Sequence, residues 1–354
     1  MSEQAHKARR TMACIVLPTP SMTCTVRTLV LAWSCIAAVA APMPAAAWQA
    51  STPEATREDA AFVGMDDIVR GLADVQSVVV LLHGRTSYEF HRDGKPETLH
   101  DTQSVAKSAL AALVGVALRQ GHLPSVDVRV VDVLPELRSA NADPRALAIT
   151  LAHLLGMTAG FAVDDAGGTA RALAPERAWA RPLRSDPGQS FAYDNSVVPL
   201  ISAVLEKATG QSVAAYAREH LVAPLGMAEP SYTRGLSLRT LDMARLGQLF
   251  LQDGAWNGAA LLPPAFVADA TRAQSRGGPP VGLPYGLAWW VPSGSTFFAS
   301  GYAGQFIWVH RPLGMVVAVT STVSPGSQQR GQALQLIRGP LFQAAQKRTG
   351  RPGS

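Results

Sequence analysis

Ser104 and Lys107 stand three residues apart in a run that is otherwise nearly all apolar, Asp101-Thr-Gln-Ser104-Val-Ala-Lys107-Ser-Ala-Leu-Ala-Ala-Leu-Val-Gly-Val-Ala-Leu118. If the run is helical, positions i and i+3 share a face, and Ser104 Oγ can meet Lys107 Nζ. A serine hydroxyl is a poor nucleophile unaided. A desolvated, neutral lysine beside it can take its proton. The competing reading is a serine at a helix N-terminus and a lysine that snorkels to solvent, a pattern short enough to arise by chance. The chain has only five lysines (Lys7, Lys95, Lys107, Lys207 and Lys347), so arginine supplies its basic surface and Lys107 stands out.

The element that positions this pair is the run itself. Apolar residues circle it, which predicts a helix buried on all sides, and a lysine there must be paired or deprotonated. Asp101 to Gln103 offer polar caps, and Gly121 is placed to end the helix after Arg119 and Gln120. Upstream, Val78–Leu82 and Tyr88–His91 read as a two-stranded hairpin around Gly84. His83, His91 and His100 lie near one another without a metal-ligand spacing. Residues 122 to about 250 read as mostly helical, with small helices in 128–137 and 149–160, Thr150 capping the second, and longer ones at Val197–Lys207, Val213–Leu221 and Leu238–Leu251. Within that region 161–186 reads as a long loop in which Trp179 borders a pocket. Strand-like runs then follow at 285–291, 296–299, 305–310 and 315–321, before a final helix from Gln328 to Ala345. Strands, helices, then strands and a helix imply an α+β fold: an antiparallel sheet completed by both ends of the chain, with a helical lobe inserted.

Charged residues make up 16% of the 354, too few for a disordered chain or a nucleic-acid binder. Residues 1–47 hold Lys7, Arg9, Arg10 and Arg27 against Glu3, three of the five net positive charges, so the remainder carries +2 and no polyanion partner is expected. A basic start, an apolar stretch from Thr28 to Ala41 and the small residues Ala45-Ala46-Ala47 predict a secretory signal cleaved after Ala47, with an exported, periplasmic or secreted product. No stable membrane span is expected after processing. All three cysteines (Cys14, Cys24 and Cys35) fall in that leader, so the processed chain would have neither disulfide nor thiolate chemistry. The expected organisation is a leader over 1–47, one hydrolase-sized domain over 48–345 and a polar tail over 346–354.

Over about residues 65–325 the chain resembles the serine hydrolases related to class C β-lactamases and D-alanyl-D-alanine peptidases. The branch it resembles most holds penicillin-recognising esterases and 6-aminohexanoate-dimer hydrolases. The matching segments include Ser104-Val-Ala-Lys107-Ser108, Ile149-Thr-Leu-Ala-His-Leu-Leu-Gly-Met-Thr-Ala-Gly160, Tyr193-Asp-Asn195, Pro224-Leu-Gly-Met227, Tyr285-Gly-Leu-Ala-Trp-Trp290 and Gly301-Tyr-Ala-Gly-Gln305. The resemblance implies a β-lactamase/transpeptidase-like fold and no cofactor or metal. It also implies a small ester, amide or peptide as substrate. It makes Ser104 the acylated nucleophile, Lys107 its proton-accepting partner, Tyr193 a proton shuttle and Asn195 the residue that holds the lysine and the substrate's acyl side chain. The family's Lys-Thr-Gly or His-Thr-Gly strand element matches Tyr302-Ala303-Gly304, with the N–H of Gln305 and that of Ser104 as the oxyanion hole. A cation is missing at 302, which favours an esterase or amidase over a true β-lactamase or D-alanyl-D-alanine carboxypeptidase. A catalytically silent relative that binds cell-wall peptides is the third reading. No Gly-x-Ser-x-Gly elbow is present, which disfavours an α/β-hydrolase.

Overall fold

β-Branched and aromatic runs from both ends of the chain meet in one sheet. The computed structural model describes residues 59–163, 172–233, 235–323 and 329–350. The leader over 1–47 with its cysteines, residues 164–171 of the expected loop, and 351–354 of the tail lie outside the described residues. Eight strands form the sheet: β1 (Val75–Leu82), β2 (Arg85–His91), β3 (Ser275–Gly278), β4 (Leu283–Tyr285), β5 (Trp290–Ser293), β6 (Thr296–Gly301), β7 (Gln305–His310) and β8 (Met315–Ser321). They lie in the order β2-β1-β8-β7-β6-β5-β4-β3, every neighbouring pair antiparallel. The first hairpin therefore closes onto the last strand, with Val78 opposite Val319 and Val80 opposite Val317. β1 and β8 are buried almost throughout because helices cover both faces.

Side chains alternate across a strand, and β7 shows which helix covers which face. Ile307 and Val309 meet Gly247 of the helix Thr240–Leu251, where an added Cβ would stand 2.6 Å from Ile307 Cγ2 and 2.7 Å from Val316 Cγ1. His310, on the opposite face, packs edge-on against Phe342 of the C-terminal helix at 5.1 Å. That C-terminal segment is helical from Gln329 through Thr349, with a wider turn at Ile337–Leu341 around Pro340, so it runs past Ala345 into the expected tail.

The inserted lobe holds the helices Val130–Val133, Leu151–Leu155, Pro175–Trp179, Val197–Thr209 and Val213–Ala217. Thr150 caps its helix as expected, in a reciprocal capping box with His153. The expected loop 161–186 contains the Pro175–Trp179 helix, and Trp179, expected to border a pocket, is fully buried and edge-on to Phe161. The single strand expected over 285–291 is two strands. Ala288 has φ +63, and a Cβ on Gly286 would fall 2.1 Å from the Ala270 carbonyl oxygen, so the chain turns between Tyr285 and Trp290. β3, in a stretch rich in glycine and proline, has no readable strand pattern at all. Among the described residues no helix is long and apolar enough to cross a membrane.

Candidate active site

Ser104 occupies a 3-10 turn, Gln103–Val105, that leads into the helix Ala106–Arg119. Its side chain is half-buried and accessible. Every residue of the helix from Lys107 to Ala117 is buried, as an apolar circumference requires. Lys107 Nζ donates to Ser104 Oγ at 3.0 Å and to Asn195 Oδ1 at 2.8 Å. It also stands 4.9 Å from the centroid of the Tyr193 ring, within cation–π range. The lysine is thus desolvated and hydrogen-bonded, without a carboxylate partner among the described residues. Such a group can pass a proton to or from a neighbouring hydroxyl without breaking an ion pair. Ser108 Oγ donates to the Ala288 carbonyl at 2.6 Å and ties the same helix turn to the β4–β5 connection.

Tyr193 and Asn195 come from the segment that precedes the helix Val197–Thr209. Asp194 between them points the other way. One of its oxygens accepts from Arg181 Nη2 at 2.6 Å and the other from the Ser196 N–H at 2.8 Å, in a nearly buried ion pair. A tripeptide whose middle residue is anchored inward presents its two flanking side chains to the site. Arg181 and Asp194 escape a motif reading because their partner is thirteen residues away and carries no pattern of its own. The Tyr193 ring stacks on Trp290 at 6.0 Å and 13° and meets Tyr285 edge-on at 6.4 Å. Burial pushes the Tyr285 phenol well above its ordinary value, and Tyr193 beside it acts in the same direction. Tyr285 therefore stays protonated at neutral pH.

The strand side of the site differs from expectation. Tyr302, Ala303 and Gly304 form the turn between β6 and β7, with φ of +64 at Ala303 and +95 at Gly304, and Tyr302 is 48% exposed. The backbone that reaches the Ser104 turn is three residues earlier. A Cβ on Gly301 would stand 2.7 Å from the Thr102 carbonyl oxygen and 3.0 Å from Gln103 Cβ. The close approach expected of 302–304 therefore belongs to Ala299-Ser300-Gly301, at the end of β6. Ser300 Oγ is buried there without a hydrogen-bond partner among the described residues. Gln305 sits opposite Gly301 and is fully buried; its side chain exchanges hydrogen bonds with the backbone of Ser321, at 2.8 and 2.9 Å. The signal that could have found Gly301 is the glycine itself, since a strand glycine often marks a close backbone approach.

One cation was not anticipated. Arg330, at the start of the C-terminal helix, is half-buried and donates from Nη1 to the Pro280 carbonyl at 3.3 Å. Burial lowers it from the ordinary arginine value, while the charge of Tyr193 acts in the opposite direction. No carboxylate pairs with it among the described residues.

Known proteins resemble this chain in sequence and in fold. The family model described as Beta-lactamase matches residues 65–240. Esterase EstB of Burkholderia gladioli is 30% identical over 201 residues, 49% of this chain and 50% of its own. Penicillin-binding protein 4 of Amycolatopsis lactamdurans is 31% identical over 159 residues, 43% of this chain and 41% of its own. The matched stretch thus spans about half the length of these curated relatives or less. The structure of a protein described as a 6-aminohexanoate-dimer hydrolase, from Bacillus anthracis, superposes with a TM-score of 0.66 at 19% identity, covering 84% of this chain and 87% of its own.

Proposed function

We propose that the chain, whose residues 65–240 match the Beta-lactamase family model, is a serine hydrolase that cleaves ester or amide bonds through an acyl-Ser104 intermediate. The observation that carries this reading is the pair of short contacts from Lys107 Nζ to Ser104 Oγ and to Asn195 Oδ1. Ser104 Oγ attacks the carbonyl carbon as Lys107, with Tyr193 beside it, takes the hydroxyl proton. The tetrahedral oxyanion is held by the N–H of Ser104 and, in place of the Gln305 N–H expected from the sequence, by that of Tyr302, the residue that follows the closely docked Gly301. Tyr193 gives its proton to the leaving group and takes the one held by Lys107, the acyl–Ser104 ester remains, and a water deprotonated by the same groups hydrolyses it. Tyr285, held protonated, is a wall of the site and not its base.

β6 reads Thr-Phe-Phe-Ala-Ser-Gly and carries no charge, so this strand has no cation for the carboxylate of a β-lactam or a peptide terminus. That supports neutral esters and amides as substrates. A specific observation supports the peptidase-like alternative: Arg330 offers a cation from the C-terminal helix instead of from the strand. The test is to incubate the purified protein with a short-chain p-nitrophenyl ester and with nitrocefin, beside a Ser104→Ala variant, and to look for an acyl adduct by intact mass. Ester turnover that vanishes in the variant is expected. Turnover that survives in the variant overturns the nucleophile assignment, and fast nitrocefin turnover with little ester cleavage promotes the alternative.

Export is part of the same proposal, supported by the charge and hydropathy pattern of residues 1–47. N-terminal sequencing of the protein recovered from outside the cytoplasm is expected to begin at Trp48.

A further inference from the structure

Gln103, the residue before Ser104, has φ +50, a left-handed conformation that a side chain with a Cβ adopts only when its surroundings impose it. The surroundings here can be named. Asp101 Oδ1 accepts the Gln103 backbone N–H at 2.9 Å, and Asp101 Oδ2 accepts from Gln103 Nε2 at 2.6 Å. Both oxygens of one carboxylate thus hold both ends of one residue. Asp101 is itself fixed, since His100–Asp101 pairs with Ser237–Leu238 in a short antiparallel ladder. Thr102, between the two, gives both its N–H and its hydroxyl to the Leu236 carbonyl, at 2.9 and 2.7 Å. Gly301 closes the other side of the turn.

We infer that Asp101 is a positioning residue for the hydrolytic reaction: it clamps Gln103 in the left-handed conformation that aims Ser104 Oγ at Lys107 Nζ and at the oxyanion donors. This inference rests on Ser104 being the nucleophile. The alternative is an ordinary helix lead-in, in which Asp101 satisfies the Gln103 N–H and stability alone depends on it. The geometry argues for the clamp. The helix proper begins at Ala106 and takes no side-chain cap from Asp101, and the second bond, to Gln103 Nε2, satisfies no helix donor. If the carboxylate is lost, Gln103 relaxes toward negative φ and rotates the Cα–Cβ vector of the next residue. A displacement of about 1 Å at a nucleophile costs on the order of a hundredfold in rate.

The experiment is a cycle of Asp101→Ala and Gln103→Gly, with Asp101→Asn as the conservative variant. It reads kcat and KM for the p-nitrophenyl ester, the rate of Ser104 labelling by a fluorophosphonate, and the melting temperature. Glycine adopts positive φ without a clamp. Asp101→Ala alone is expected to lower kcat and the labelling rate about a hundredfold with KM little changed. Asp101→Asn, which keeps one acceptor, falls between it and the wild type, and Gln103→Gly in the Asp101→Ala background recovers most of the loss. An Asp101→Ala protein that melts earlier but is labelled at the wild-type rate overturns the clamp, as does an equal loss with and without glycine at 103. If Asp101→Ala does not fold, Asp101→Asn in the two backgrounds gives the same comparison. A wild-type protein that the fluorophosphonate does not label removes the nucleophile reading, and this inference with it. Equal labelling of wild type and variant removes the clamp alone.

Discussion

Tyr193 is positioned by its ring and would act through its hydroxyl, so the two roles can be separated. Its ring faces Trp290, Tyr285 and Lys107 Nζ, and every one of those contacts survives removal of the hydroxyl. Tyr193→Phe is therefore expected to fold with an unchanged melting temperature and to lose about 10²–10⁴ in kcat, the usual worth of a positioned acid–base group. Activity within tenfold of the wild type would show that Lys107 shuttles the proton unaided. Arg330 makes a different kind of prediction, about selection. Arg330→Gln should leave neutral p-nitrophenyl esters untouched and raise KM for an aryl ester whose acyl chain ends in a carboxylate, an effect that added salt reproduces in the wild type. Equal KM changes for both substrates would detach Arg330 from specificity. Ser104 and Lys107 could be read from their spacing. Arg330 could not, because nothing near it in the sequence distinguishes it from a surface arginine; only the fold half-buries it and joins it to the Pro280 carbonyl.

At the scale of elements, the end of β6 and the helix that bears Ser104 are set against each other by an absent side chain. Gly301→Ala would force apart the Thr102 carbonyl and the strand, and is expected to lower kcat about a hundredfold. The same variant with wild-type kcat would mean that this contact does not set the geometry of the site. The capping box at Thr150 and His153 makes a prediction about pH. His153 Nδ1 accepts the Thr150 N–H, and burial pulls its titration below the ordinary histidine value. In the window below about pH 6.5 the unfolded chain binds the proton that the folded one resists, so stability present above that pH is lost as pH falls. The melting temperature should decline on acidification, and less steeply in His153→Gln, which keeps an acceptor that does not titrate. His100, also lowered by burial, leaves a residual slope. Element types were largely legible: the buried helix, the first hairpin, β6, β7 and β8 all follow from apolar pattern. The offset of the site strand was not. Gly301-Tyr-Ala-Gly304 contains two glycines, and spacing alone does not say which of them approaches the nucleophile and which makes the turn.

For the molecule as a whole, the sheet and the helix Thr240–Leu251 are joined where Gly247 lets backbone meet Ile307 and Val316. Gly247→Val overpacks that contact and is expected to destabilise the protein by about 1–3 kcal/mol in urea unfolding, with kcat of the folded fraction retained. A smaller effect would mean that the helix can lift from the sheet at little cost. The pairing of β1 with β8 has a consequence in time. Ser104 is synthesised early, but it depends on Asn195 from the lobe and on Gly301 from β6, and β1 has no inner neighbour until Met315–Ser321 exists. Contacts this distant along the chain form late. If Ser104 is the nucleophile as proposed, a nascent chain that has emerged only as far as the helical lobe carries it and its lysine without the strand that completes the site. On that reading, synthesis of the last strands, and not of Ser104, sets the moment at which the site exists.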